Sequence, residues 1–171
     1  MAGVSSFLEE SLGAWRDARE GIIDEVRNIP ADRFDFRPTP EVKSVRELVR
    51  HILEVSMMMT GELTRTDTNF RRAPWPELLA LYAKPAYEAE AKQELLDLLE
   101  SQMADAEDAF KACGELEMRQ FIDNFDGSRG TKMQWLHHGI AQEMYHRGQL
   151  TLYARLLGLE PALTRRIREG S

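Results

Sequence analysis

This sequence offers little that could support cross-linking, membrane insertion or nucleic-acid binding. It has one cysteine, Cys113, in 171 residues, so no internal disulfide can form. Nothing adjacent would lower the Cys113 pKa, and a small buried hydrophobe is expected there rather than a nucleophile. No apolar run approaches the ~18 residues that suggest a membrane span, so no membrane contact is expected. The N-terminal stretch lacks a basic n-region and an apolar h-region, which argues against a signal peptide. A cytoplasmic location is the expectation. Basic residues are the minority, 22 against 29 acidic ones, for a formal charge of −7. That balance argues against a general nucleic-acid partner, although a small anionic ligand could still bind locally. No repeat, low-complexity segment or strand of consequence is evident.

What is present is helical patterning in a chain best read as one domain, 1–171, long enough for a real core. Over residues 4–28, Leu8, Leu12, Trp15, Ile22 and Val26 repeat at helical steps, interrupted by Arg19, which could snorkel or pair. Ile29-Pro30 ends this helix. A second begins at the capping box Ser44-Val-Arg-Glu47 and buries Val45, Leu48, Ile52, Val55 and Met59. The run Met57 to Met59 is read as packing irregular space. Over residues 61–84 the pattern weakens, with Pro76 able to open a short helix from Glu77 to Tyr82. The third helix is predicted over residues 85–112 and Gly114 follows it. Its acidic residues Glu88, Glu90, Glu94, Glu100, Asp105 and Glu107 are expected in solvent. After a loop at 121–130 with an Asp126-Gly127 turn, the fourth helix is predicted over 131–157, capped by Gly158. Pro161 separates it from a basic tail, a surface appendage or oligomer contact. The fold expected is an all-α four-helix bundle, and the long second connection permits helices two and three to run parallel.

The fourth helix carries chemistry. His138, Gln142, Tyr145, Gln149, Leu152 and Leu156 follow at steps of four and three, as a stripe that is polar above and expected to be core below. His51 faces inward from helix two. Gln142, one turn before His146, can share a target with it. Two imidazoles and a third side chain, with open positions left over, form the arrangement of a catalytic metal site. His138 lies two turns from His146 and is placed in the pocket, whereas His137 points about 100° away, toward solvent. Gly148 costs about 1 kcal/mol against alanine in a helix interior, which suggests close approach by another helix or a ligand. Arg147 could pair with a carboxylate or hold an anionic group.

Tyr145-His-Arg-Gly-Gln-Leu150, Trp135-Leu-His-His138 and Ser44-Val-Arg-Glu-Leu-Val-Arg-His51-Ile-Leu together resemble the DinB-like family, which includes YfiT-like metal-dependent hydrolases and thiol-dependent transferases. The resemblance implies a bundle in up-down-down-up order and a homodimer. It also implies nickel or zinc held by one histidine of helix two and two of helix four. His51 and His146 match two of those positions; Gln142 stands at the third, where its neutral amide is the poorer ligand. In such a site a low-molecular-weight thiol or a water would attack an electrophilic substrate, with Glu143 or Glu54 as candidate bases. Arg147, Gln149 and His138 would lie around the pocket. The alternative is a non-catalytic dimeric stress or scaffold bundle with a degenerate site. A ferritin-like di-metal centre fits less well: Glu143-Met-Tyr-His146 has the required order, but His51-Ile-Leu-Glu54 reverses it.

Overall fold

A computed structural model describes residues 6–170 and shows four long helices whose starts are set by side-chain caps. In α1 (Phe7–Asn28), Ser6 Oγ accepts from the Glu9 N–H at 3.1 Å and the Glu9 carboxylate accepts from the Ser6 N–H at 2.7 Å. The same box opens α2 (Val45–Leu63) through Ser44 and Glu47. The predicted start of the first helix at Val4 lies outside the described residues. The short α3 (Trp75–Tyr82) and α4 (Lys84–Glu88) follow, then α5 (Lys92–Cys113) and α6 (Glu115–Met118). A hairpin of β1 (Phe121–Asp123) and β2 (Arg129–Thr131) leads into α7 (Lys132–Leu156), which Thr131 caps, and α8 (Ala162–Glu169) closes the chain.

Side-chain pairs give the helix directions. Ser11 meets His137 and Thr151 meets Glu25, so α1 and α7 run parallel. Met59 packs at Gly139 while His51 lies against His146, so α2 and α7 are antiparallel. Arg16 pairs with Glu107 and Arg27 with Glu100, which makes α5 antiparallel to α1. The order is therefore up-down-down-up, as expected, and the chain from Thr64 to Ala91 carries α3 and α4 across the bundle.

The core falls into two clusters. One gathers Ile22, Val26, Leu48, Ile52, Leu99 and Leu150; the other gathers Leu12, Trp15, Met58, Met59, Phe110 and Leu136. Between them along each helix lie Arg19, Ser56, Gln102 and Glu143, all buried. A polar layer thus crosses the middle of the bundle.

Four expectations need correction. The third helix begins at Lys92, not at residue 85, because the Glu94 carboxylate accepts the N–H groups of Glu90 and Ala91 and opens a new helix there. The 121–130 loop is an antiparallel hairpin, with Ile122 opposite Gly130 and Gly127 at φ 83° in its turn. Glu107 is buried rather than solvated, held by Arg16 and Lys111. Finally, the buried stripe of α7 runs through Leu136, Glu143, His146, Leu150 and Tyr153, so that Tyr145, Leu152 and Leu156 are exposed. The reason is cross-helix pairing. Glu143 and His146 look unsuited to a core until their partners on α1 and within α7 are counted.

Candidate metal centre

His51 and His146 meet across the α2–α7 interface with ring centroids 5.1 Å apart and planes at 83°. Each ring is fixed from its own helix. His51 Nδ1 lies 2.6 Å from Glu54 Oε1, three residues on, and His146 Nδ1 lies 2.7 Å from Gln149 Oε1, again three residues on. With oxygen atoms facing both Nδ1 atoms, the arrangement favours the tautomer that carries its proton on Nδ1 and turns the Nε2 lone pair toward the other helix. A side-chain oxygen that orients a histidine in this way is the usual support of a metal-binding imidazole. The spacing fits as well. An Nε2–metal bond of about 2.0–2.1 Å puts a ring centroid roughly 3.2 Å from the ion, and two such rings at a tetrahedral angle lie roughly 5.2 Å apart.

Gln142 approaches the same place. Its Nε2 makes a long 3.4 Å contact to His51 Nε2, and a 180° turn of the amide would present Oε1 there instead. Among the described residues, no group of three or more His, Cys, Asp and Glu side chains is placed to hold a metal. The donor set available is therefore two imidazoles and one amide, which fits a metal held less firmly than by three imidazoles.

The electrostatics keep His146 neutral. Burial lowers its pKa, against a smaller upward push from the Gln149 hydrogen bond. Burial pushes the Glu54 carboxyl up, but hydrogen bonds from His51 and Tyr87 more than offset this and leave it below the ordinary carboxylate range. Burial and that same bond raise Tyr87 to about 12, so its hydroxyl stays a donor.

The remaining predicted residues divide. Glu143 lies in the polar layer: Arg19 reaches its two oxygens at 2.5 and 2.9 Å, and the Trp15 indole N–H donates at 2.7 Å. Arg19 also donates to Leu99 O, Gln102 and Ser56. Arg147 turns away from the histidines toward α1, its guanidinium occupying the space a Cβ on Gly21 would need. Gly148, by contrast, has open space around it, so the expected close approach falls at Gly21 instead. His138 is exposed, edge-on to Trp135 at 5.1 Å. Cys113 is partly buried, and burial pushes its thiol up, in keeping with an inert thiol. Sequence reasoning missed Trp75, Tyr87 and Lys43. All three come from irregular or short segments, and only the i, i+3 spacing of His51 and Glu54 hinted at the support Tyr87 joins.

Two open depressions flank the imidazoles. One, of about 440 Å³, is lined by Trp75, His138, Ala141, Gln142, Tyr145 and His146. The other, of about 380 Å³, holds Lys43, His51, Glu54 and Tyr87 among its walls. A smaller, more enclosed cavity of about 20 Å³, room for roughly one water, lies among His146, Gln142, Glu143 and Ser56.

Comparison with known proteins agrees with this architecture. The family model described as the DinB family matches residues 4–169. YfiT from Bacillus subtilis, described as a probable metal-dependent hydrolase with an unusual four-helix bundle topology, superposes with a TM-score of 0.68 at 16% identity, over 94% of this chain and 93% of its own. A DinB-family structure from Exiguobacterium sibiricum gives 0.65 at 23%, over 91% and 95%. A mycothiol-dependent maleylpyruvate isomerase gives 0.65 at 14%, over 84% of this chain but 60% of that one. At these identities the structures establish a shared fold. A search of curated proteins found no match.

Proposed function

Because the chain belongs to the DinB family, we propose that it holds a divalent metal, nickel or zinc, between His51 and His146 and uses it in hydrolysis or in transfer of a low-molecular-weight thiol. The observation that carries this reading is the pair of imidazoles whose Nδ1 atoms are both engaged by side-chain oxygens of their own helices. An ion bound there supplies Lewis acidity and lowers the pKa of a water or thiol it contacts. Glu54 and Gln149 orient the rings, and Gln142 offers an amide oxygen as third donor. Glu54 is the better proton acceptor of the two carboxylates, because it borders an open depression while Glu143 is clamped by Arg19. Tyr87 donates to Glu54 and steadies it. The metal-dependent and mycothiol-dependent descriptions of the two structural relatives support a metal and a thiol without choosing between the reactions.

The test is elemental analysis of tag-free protein. Wild type should carry about one metal per chain, lost in His51→Ala and in His146→Ala, and Gln142→His should bind it more tightly. Wild type that stays metal-free in excess nickel or zinc overturns the reading. It would favour the second one, a non-catalytic dimeric stress or scaffold bundle, to which the glutamine at the third ligand position already points.

A further inference from the structure

The depression of about 440 Å³ is walled by Trp75, His138, Ala141, Gln142, Tyr145 and His146, with no Asp, Glu, Lys or Arg among them. Gln142 and His146 are proposed metal donors, so a group seated there lies beside the metal site. Two other wall residues are large rings from different helices. Tyr145, on α7, is 65% exposed and stands edge-on to His146 with centroids 5.1 Å apart. Trp75 opens α3 between Pro74 and Pro76, whose rings fix φ on either side of it. Phe125 meets Trp75 edge-on at 4.8 Å and stacks on the buried Phe70 at 4.6 Å, and the Phe70 N–H donates to Asp123 O in the hairpin. The indole is thus held in place by its own segment and by the hairpin. The depression beside His51, with Arg37, Glu41, Lys43, Glu47, Arg50 and Glu54 in its wall, is charged instead.

We propose that the substrate presents an uncharged planar ring to the depression on the Trp75 side, seated against Trp75 and Tyr145, and that Trp75 is the residue that selects it. A planar ring gains offset or edge contacts with aromatic side chains beyond the apolar area it buries. A platform fixed beforehand loses little freedom on binding. A charged group would lose hydration against a wall that offers it no countercharge. The inference deepens the metal-site reading and rests on it for the reaction beside Gln142 and His146; the ring binding itself needs no ion.

The test uses the full chain with two neutral probes of one size, benzyl alcohol and cyclohexylmethanol, and reads dissociation constants by NMR titration. The puckered ring buries at least as much apolar surface, so a merely greasy patch would hold cyclohexylmethanol as tightly or more so. Wild type should instead bind benzyl alcohol about fivefold tighter, with shifts at the Ala141 and Tyr145 amides. Trp75→Leu keeps an apolar side chain but removes the ring, and should weaken benzyl alcohol by about fivefold while leaving cyclohexylmethanol within about twofold. The exposed Tyr145→Leu change should also reduce the preference for benzyl alcohol. Wild type that binds cyclohexylmethanol equally or better overturns the proposal. So does a preference that survives in both variants, or light scattering showing that a second copy covers Tyr145 and excludes the probes. Metal content separates the two ideas: wild type without metal that still prefers the planar ring removes the metal and keeps the ring site, and wild type with metal but no preference does the reverse.

Discussion

Replacing Arg19 with methionine should be among the most damaging single changes to this fold. Arg19 is fully buried and Glu143 is 4% exposed, so the pair is withdrawn from bulk water. The change removes two hydrogen bonds to the carboxylate and three more, to Leu99 O, Gln102 and Ser56. Glu143 keeps only the Trp15 N–H, and an uncompensated buried charge costs about 3–5 kcal/mol. In a chain of this length, that is roughly 6–20 °C in Tm. Urea unfolding followed by circular dichroism measures the loss, with an unchanged m value showing that the transition has stayed two-state. Adding Glu143→Gln to Arg19→Met removes the orphaned charge while leaving Trp15 an acceptor, and should recover about 1–2 kcal/mol. An Arg19→Met protein within about 1 kcal/mol of wild type would refute the reasoning, as would a double variant less stable than the single one.

Two helical glycines should respond oppositely to alanine. Gly148→Ala meets open space and should stabilise by about 0.5–1 kcal/mol, whereas on Gly61 the new Cβ would overlap the Tyr82 ring and should cost about 1–3 kcal/mol, both read by urea midpoint. Burial raises the Glu62 carboxyl, but hydrogen bonds from Arg72 and Tyr82 more than offset this and hold it below its ordinary 4.5. Its stabilisation is therefore present above 4.5 and lost as pH falls through the lower folded value, so Glu62→Gln should show a flatter acid decline in urea midpoint than wild type. If two copies pair through the face carrying Leu152 and Leu156, 51% and 55% exposed, wild type should run at twice 19.6 kDa and Leu156→Glu at the monomer mass. A monomeric wild type under light scattering removes that pairing.

Local chemistry was legible without the structure. The Ser44–Glu47 box, the glycine stops at Gly114 and Gly158, and the short helix after Pro76 each depend on residues within a turn of one another. His51 and His146 were legible as a pair because the resemblance marks both positions. The register of α7 was not. Its stripe through Tyr145, Leu152 and Leu156 reads as core by period alone, yet the helix buries the stripe beside it. Arg19, in the first helix, makes that choice by offering Glu143 a partner 124 residues away.

By itself, then, the sequence determined that there are four long helices, the Ser44–Glu47 cap and the glycine stops, because these rest on periodicity and on short-range hydrogen bonds, while their order came from the family resemblance. Only the tertiary structure decided which face of α7 is inside. It also decided that Glu143 is clamped by an arginine and that Glu54 and Gln149 fix the imidazoles, and it set Trp75, Tyr145 and Lys43 around them. Those are contacts between distant segments, and their energies depend on which polar group meets which once water is excluded.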